Sequence, residues 1–179
     1  MFHVWHDMDA KRITCEKFMA MIEISRGSKN KYELDKEIGM LVLDRVLSTS
    51  THYPANYGFI PRTYAGDGDP LDVLVLCQSE ILPYSLVECY PIGALEMLDE
   101  GKEDVKIIAV CSNDPHYNSY QDIFELPSHI FDEIRHFYQV YKDLENKHTS
   151  TQDYKGADEA KKIIESCIES YNKKFAAQQ

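Results

Sequence analysis

The sequence predicts a mainly β fold with α-helices, a small closed β-barrel flanked by two main helices in its C-terminal half. Three observations predict it. The first two thirds of the chain is a series of short β-rich or apolar runs. Gly and Pro punctuate those runs at 27, 39, 54, 58, 61, 66, 68, 70, 83 and 91. The last third changes to helical spacing. The chain has 179 residues and 44% hydrophobic residues, enough for a core and consistent with a single domain spanning 1–179.

The strands are expected at 18–24, 32–35, 41–47, 71–77, 86–98 and 105–111. From Ser128 the apolar residues Ile130, Ile134, Phe137, Tyr138, Tyr141 and Leu144 recur with helical period, and Ser128 after Pro127 is read as the N-cap. A second helix is expected from about Asp158, with Ile163, Ile164, Cys167, Ile168, Tyr171 and Phe175 on one face. The polar stretch 112–127 reads as a long loop with at most a turn of helix.

Net charge is −11, and no dense Lys/Arg patch appears, which argues against a nucleic-acid partner. An anionic protein can still take an anionic substrate where metal cations supply local positive charge. The 5 cysteines are scattered without a C-x-x-C pair, which argues against a disulfide framework or zinc ribbon and suits a reducing, cytoplasmic setting. The N-terminus, with His3, Trp5, His6, Asp7 and Asp9, is no signal peptide. No apolar run reaches the length of a membrane span.

The densest chemistry lies in Asp67-Gly68-Asp69-Pro70-Leu71-Asp72. In an extended segment, Asp67 and Asp69 would point the same way, and Asp72 would enter the following strand. Carboxylates this close repel, and a hard, oxygen-preferring cation such as Mg²⁺ relieves that repulsion. An acidic turn in solvent would carry the same residues. An EF-hand does not fit, because position 5 would be Leu71, position 6 Asp72 and position 12 Gln78. A second charged set comprises Asp99, Asp104 and Lys106, with Glu23, Glu33 and Arg45 inside apolar strands. Acids and bases on separate strands fit a barrel with a charged cavity at one face.

Taken together, these residues resemble the soluble family I inorganic pyrophosphatases, of bacterial type. The loop 67–73 is similar to the family's D-x-D-P-x-D signature followed by an apolar residue. Glu23 to Ser28, Lys31-Tyr32-Glu33, Asp44-Arg45, 53–61, Asp99, Asp104, Lys106 and Tyr141-Lys142 follow in the family's order, over roughly 18–145. Ser25 stands where the family usually has proline.

The resemblance implies an OB-like barrel and Mg²⁺-dependent hydrolysis of pyrophosphate by direct attack of a metal-activated water. Several Mg²⁺ ions per site are implied, with Mn²⁺ or Zn²⁺ as possible substitutes. Asp67, Asp72, Asp99 and Asp104 match metal ligands, and Glu23 and Glu33 match outer or water-mediated metal contacts. Asp69 matches the general base. Lys31, Arg45, Tyr57, Lys106, Tyr141 and Lys142 match phosphate-holding groups, and Tyr53 a supporting tyrosine. The resemblance also implies a homo-oligomer, with a hexamer suggested by bacterial members. Two other classes would use the same features differently: a metal-binding module without turnover, and an OB-type single-strand binder, which the charge opposes.

Overall fold

The computed structural model describes residues 2–175. In chain order its strands are β1 (Phe18–Ile24), β2 (Asn30–Leu34), β3 (Leu41–Val46), β4 (Asn56–Ile60), β5 (Leu71–Leu76), β6 (Leu86–Asp99), β7 (Lys102–Cys111) and β8 (Thr149–Gly156). The helices are α1 (Ser128–Val140) and α2 (Ala157–Phe175). The sheet runs β1-β4-β5-β7-β6-β8, and β1 also pairs with β6. Strands β1, β4, β5, β7 and β6 therefore close into a ring. Closure leaves those five strands without a bare edge. Only β5 and β7 pair in parallel; β2 and β3 form a separate antiparallel hairpin.

The alternation of β5 and β7 explains why 73–76 and 107–110 are continuously apolar. Val73, Val75, Ile107 and Ala109 join a core shared with Ala160, Ile164 and Tyr171 of α2. Leu74, Leu76, Ile108 and Val110 join a second core with Ile134, Phe137 and Tyr138 of α1. Both faces of these strands are buried, so neither face needs polar residues. The helices thus cover opposite sides of the strand layer. No helix among the described residues is long and apolar enough to cross a membrane.

Two strands were not legible in the sequence. β4 lies between Pro54 and Pro61 and contains Gly58, a pattern that reads as a turn. Gly58 sits opposite Ile22 of β1, and a Cβ there would lie 1.8 Å from the Met21 carbonyl oxygen. Here glycine permits a close backbone approach within a strand. β8 is polar and half-exposed; its pairing with β6 leaves almost no apolar periodicity to detect. The helices also differ at their ends. Pro127, not Ser128, is the N-cap of α1, and no side chain caps it. α1 stops at Val140, and Leu144 lies exposed on a 3₁₀ turn beyond it. The stretch 112–127 is a loop with one 3₁₀ turn at Ile123–Glu125, as expected.

Candidate active site

The acidic loop is held at both ends before it meets anything else. Thr63 donates from Oγ1 to the Ile60 carbonyl at 2.6 Å and accepts from the Leu71 N–H at 2.8 Å. Those two bonds tie the end of β4 to the start of β5. The N-terminal segment contributes as well, since Trp5 donates from its indole to the Thr63 carbonyl at 2.9 Å. From α2, the Cys167 carbonyl accepts the Tyr64 N–H. Within the loop Gly68 has φ +91°, and the Asp69 N–H donates to Asp67 Oδ1 at 3.0 Å. Asp67 and Asp69 are therefore on a tight turn, not on the extended segment the sequence suggested. The Gly conformation reverses the chain.

A cavity of about 360 Å³ opens at this loop. Its wall contains Asp67 and Asp69 from the loop, Glu23 from β1 and Tyr57 from β4. Asp72 comes from β5, Asp99 from β6, and Asp104 and Lys106 from β7. The β2–β3 hairpin contributes Lys31, Glu33 and Arg45, the segment before β4 contributes Tyr53, and Tyr141 and Lys142 follow α1. All the residues singled out in the sequence thus share one cavity. Among the other lining residues, Lys36, Tyr138 and Lys147 were given no site role from the sequence, and Tyr32 entered only as part of the Lys31-Tyr32-Glu33 match. Lys36 and Lys147 lie outside the strands and carry no periodic signal, whereas Tyr138 reads as a core residue of α1.

Opposite charges interleave around the wall. Lys106, 4% exposed, bonds Asp72 at 2.5 Å and Asp104 at 2.8 Å. Burial works against its charge, but these carboxylates outweigh that and hold its pKa well above the ordinary value. Lys142 bonds Asp99 at 2.5 Å. Lys36 pairs with Asp69, and Lys31 with Glu33. Arg45 donates from Nε to Glu145 Oε1 at 3.1 Å and reaches Glu145 Oε2 from Nη2 at 3.0 Å. This bidentate pairing is a contact the sequence did not reveal, because Glu145 reads as a surface charge near a helix end.

Glu23 is 7% exposed and accepts the Leu34 N–H at 2.8 Å. Burial pushes its pKa up to about 8; Asp72 adds to the rise, while the Leu34 bond and Lys31 pull the other way. Asp72 is also raised, first by burial, with Lys106 opposing and Asp104 adding. Burial raises the phenols of Tyr53 and Tyr57 far above neutrality, so both stay protonated as donors.

These features fit a hard cation. The donors are carboxylate oxygens, burial and, to a lesser degree, neighbouring carboxylates disfavour ionisation of Glu23 and Asp72, and Asp99 Oδ1 is buried without a hydrogen-bond partner. Among the described residues no three acidic, His or Cys side chains already converge on one point. The Lys106 ammonium lies between Asp72 and Asp104, whereas Lys142 and Lys36 each pair with a single carboxylate, Asp99 and Asp69.

The sequence profile of the inorganic pyrophosphatase family matches residues 20–172. The chain belongs to the inorganic pyrophosphatase family. It is 44% identical over 173 residues to soluble inorganic pyrophosphatase 2 of Chlamydomonas reinhardtii, covering 97% of this chain and 90% of the relative. A soluble inorganic pyrophosphatase of Oryza sativa subsp. indica is 46% identical over 169 residues, with 94% and 79% covered. The crystal structure of the Thermus thermophilus inorganic pyrophosphatase superposes with a TM-score of 0.85 at 41% identity, covering 88% of this chain and 92% of that one. The five-stranded ring of this chain carries the candidate site on residues of β1, β4, β5, β6 and β7.

Cys77 and Cys111 border apolar strands yet are only half-buried; among the described residues Cys89 is the fully buried cysteine. Cys77 lies just beyond the end of β5 and Cys111 is the last residue of β7. His129 and His136 are both exposed on α1, too far apart along the helix to share an ion.

Proposed function

We propose that this protein hydrolyses inorganic pyrophosphate to two phosphates, with Mg²⁺ as its cation and water as the direct nucleophile. The observation that carries the reading is one cavity in which carboxylates from the loop, β1, β5, β6 and β7 face Lys31, Arg45, Lys106 and Lys142. A carboxylate cluster alone would suit a cation, and a basic cluster alone an anion. Interleaved, they suit a metal-complexed polyanion.

Asp67, Asp72, Asp99 and Asp104 would hold the cations, with Glu23 and Glu33 behind them. Mg²⁺ held by these carboxylates would supply positive charge for the phosphates and Lewis acidity for the attacking water. Asp69, about half-exposed at the cavity mouth, would take the proton from that water. Arg45 offers bidentate phosphate contacts. Lys31, Lys106 and Lys142 would neutralise charge on the leaving phosphate. Tyr57 and Tyr141, protonated because they are buried, would donate hydrogen bonds without adding charge, and Tyr53 packs at 5.4 Å from the Tyr57 ring to fix its position. Lys106, paired with Asp72 and Asp104, would be available to the substrate phosphate where those carboxylates hold cations instead.

Phosphate release from pyrophosphate tests this, measured with Mg²⁺ and with EDTA. Metal-dependent release is expected, with Mn²⁺ and Zn²⁺ tried as substitutes. A folded protein that releases nothing under any of the three would leave a cation-binding module without turnover. A chiral thiophosphoryl substrate should give inversion at phosphorus, and retention would require a phosphoenzyme. We also infer a homo-oligomer in the cytoplasm, hexameric as the family resemblance suggests; Ile38, Met40, Val42, Leu43 and Val46 give the β2–β3 hairpin an exposed apolar side. Sedimentation velocity reads the subunit number, and a single monomeric species would overturn that part.

A further inference from the structure

The pairing of β6 with β7 sets Cys89 directly opposite Cys111. The flanking pair shows which kind of position this is. The Ser112 N–H donates to the Glu88 carbonyl at 2.9 Å, so Glu88 and Ser112 form the hydrogen-bonded pair and Cys89 and Cys111 the non-hydrogen-bonded one. In antiparallel sheets such partners bring their Cα atoms to about 4.5 Å and point both side chains to one face. A disulfide tolerates Cα separations of about 4.4–6.8 Å, so this pair lies at the short end of the permitted range. Both residues pack against the same core, Cys89 as a fully buried member and Cys111 at its margin.

A third thiol extends the row. β5 runs parallel to β7, with Leu76 beside Val110; Cys77 and Cys111 are the next residues on each strand. The three cysteines are in line across adjacent strands and do not converge as a trithiolate ligand set. Their geometry suits a pairwise reaction and not an ion.

We propose that Cys89 and Cys111 form a reversible intrachain disulfide on exposure to a peroxide. Cys111 is partly exposed, and Cys89 is sealed in the core, so the order of events follows from access. The Cys111 thiol attacks hydrogen peroxide; its sulfur gains an oxygen and is oxidised to sulfenic acid as the peroxide is reduced and one water leaves. The Cys89 sulfur then attacks the Cys111 sulfur, the S–O bond breaks, and the hydroxyl departs as water with the Cys89 proton. Burial holds the Cys89 thiol well above its ordinary pKa, and Cys111 and Cys77 add to that. Cys89 is thus a poor target for peroxide itself but sits in place to capture its neighbour before further, irreversible oxidation.

The test is peptide mapping of the full chain under non-reducing conditions, after hydrogen peroxide and quenching of free thiols. A cross-linked pair of peptides containing Cys89 and Cys111 is expected. It should disappear on dithiothreitol treatment, persist in Cys77→Ser and be absent in Cys111→Ser, a substitution at a half-exposed position that spares the core. Cys15 and Cys167 should remain alkylatable in the same sample. A Cys77–Cys111 link in its place, an intermolecular disulfide, or sulfinic acid at Cys111 with Cys89 still free would each overturn the proposal. The readout is chemical, so it stands apart from whether pyrophosphate is the substrate.

Discussion

Asp69 is the residue whose proposed role is most exposed to test. It lies on the tight Gly68 turn with its N–H on Asp67 Oδ1, and its carboxylate pairs with Lys36. Asp69→Asn keeps the shape and the turn and removes the base. Turnover in steady-state phosphate release is expected to fall about 10²- to 10⁴-fold; an unchanged rate would take Asp69 out of that role. Glu145 gives a different signature. It touches Arg45 at two points from the 3₁₀ turn after α1, outside the inferred path of the reaction. Glu145→Ala should leave the guanidinium held by Asp44 alone, at 2.5 Å from Nη1, at a cost of about 1 kcal/mol in phosphate binding, or roughly fivefold in KM, with kcat little changed. A loss confined to kcat would mean Glu145 acts in the transition state.

At the scale of elements, the same physics explains what could be read and what could not. The apolar runs 73–76 of β5 and 107–110 of β7 announce themselves because both faces are buried there and no polar residue interrupts them. The acidic loop was legible because D-G-D-P-L-D packs carboxylates, a hinge and a stiffener into adjacent positions. β4 was hidden because Gly58 reads as a breaker when only the sequence is in view. The reason for that glycine, the Met21 carbonyl of the neighbouring strand, lies far away in sequence. The interleaving of Lys106 between Asp72 and Asp104 was equally hidden, since it depends on β5 and β7 lying in parallel register with Asp72 beside Lys106. β4 yields a prediction of its own. Gly58→Ala forces β1 and β4 apart and should destabilise the ring by about 1–3 kcal/mol or more. Urea denaturation would show a lower midpoint, and an unchanged midpoint would mean the strands have room that the backbone approach denies.

For the whole molecule, the charge of −11 and the buried acids of the cavity make stability depend on protons and cations together. In EDTA, Glu23 has its pKa raised from 4.5 to about 8, chiefly by burial. Unfolding returns it to its ordinary value. Between those two pH values the folded state keeps a proton that the unfolded chain has lost, so stability is greatest below the lower value and falls as pH rises through the window. Asp72 is shifted the same way. Asp114, with its pKa held low by the Gln78 and His116 N–H groups against the effect of burial, acts oppositely and at more acid pH, where stability falls as pH drops. Urea midpoints of the metal-free protein should therefore decline between about pH 5 and about pH 8, and Glu23→Gln should flatten that decline without abolishing it, since Asp72 remains. Mg²⁺ competes with the same protons. Its stabilising effect, which grows as RT ln(1 + [L]/Kd), should be larger at the alkaline end than at the acid end. A stabilisation by Mg²⁺ that is equal at both ends would mean that the cation does not bind where these carboxylates meet, and a Glu23→Gln slope identical to the parent would mean that Glu23 does not carry the decline.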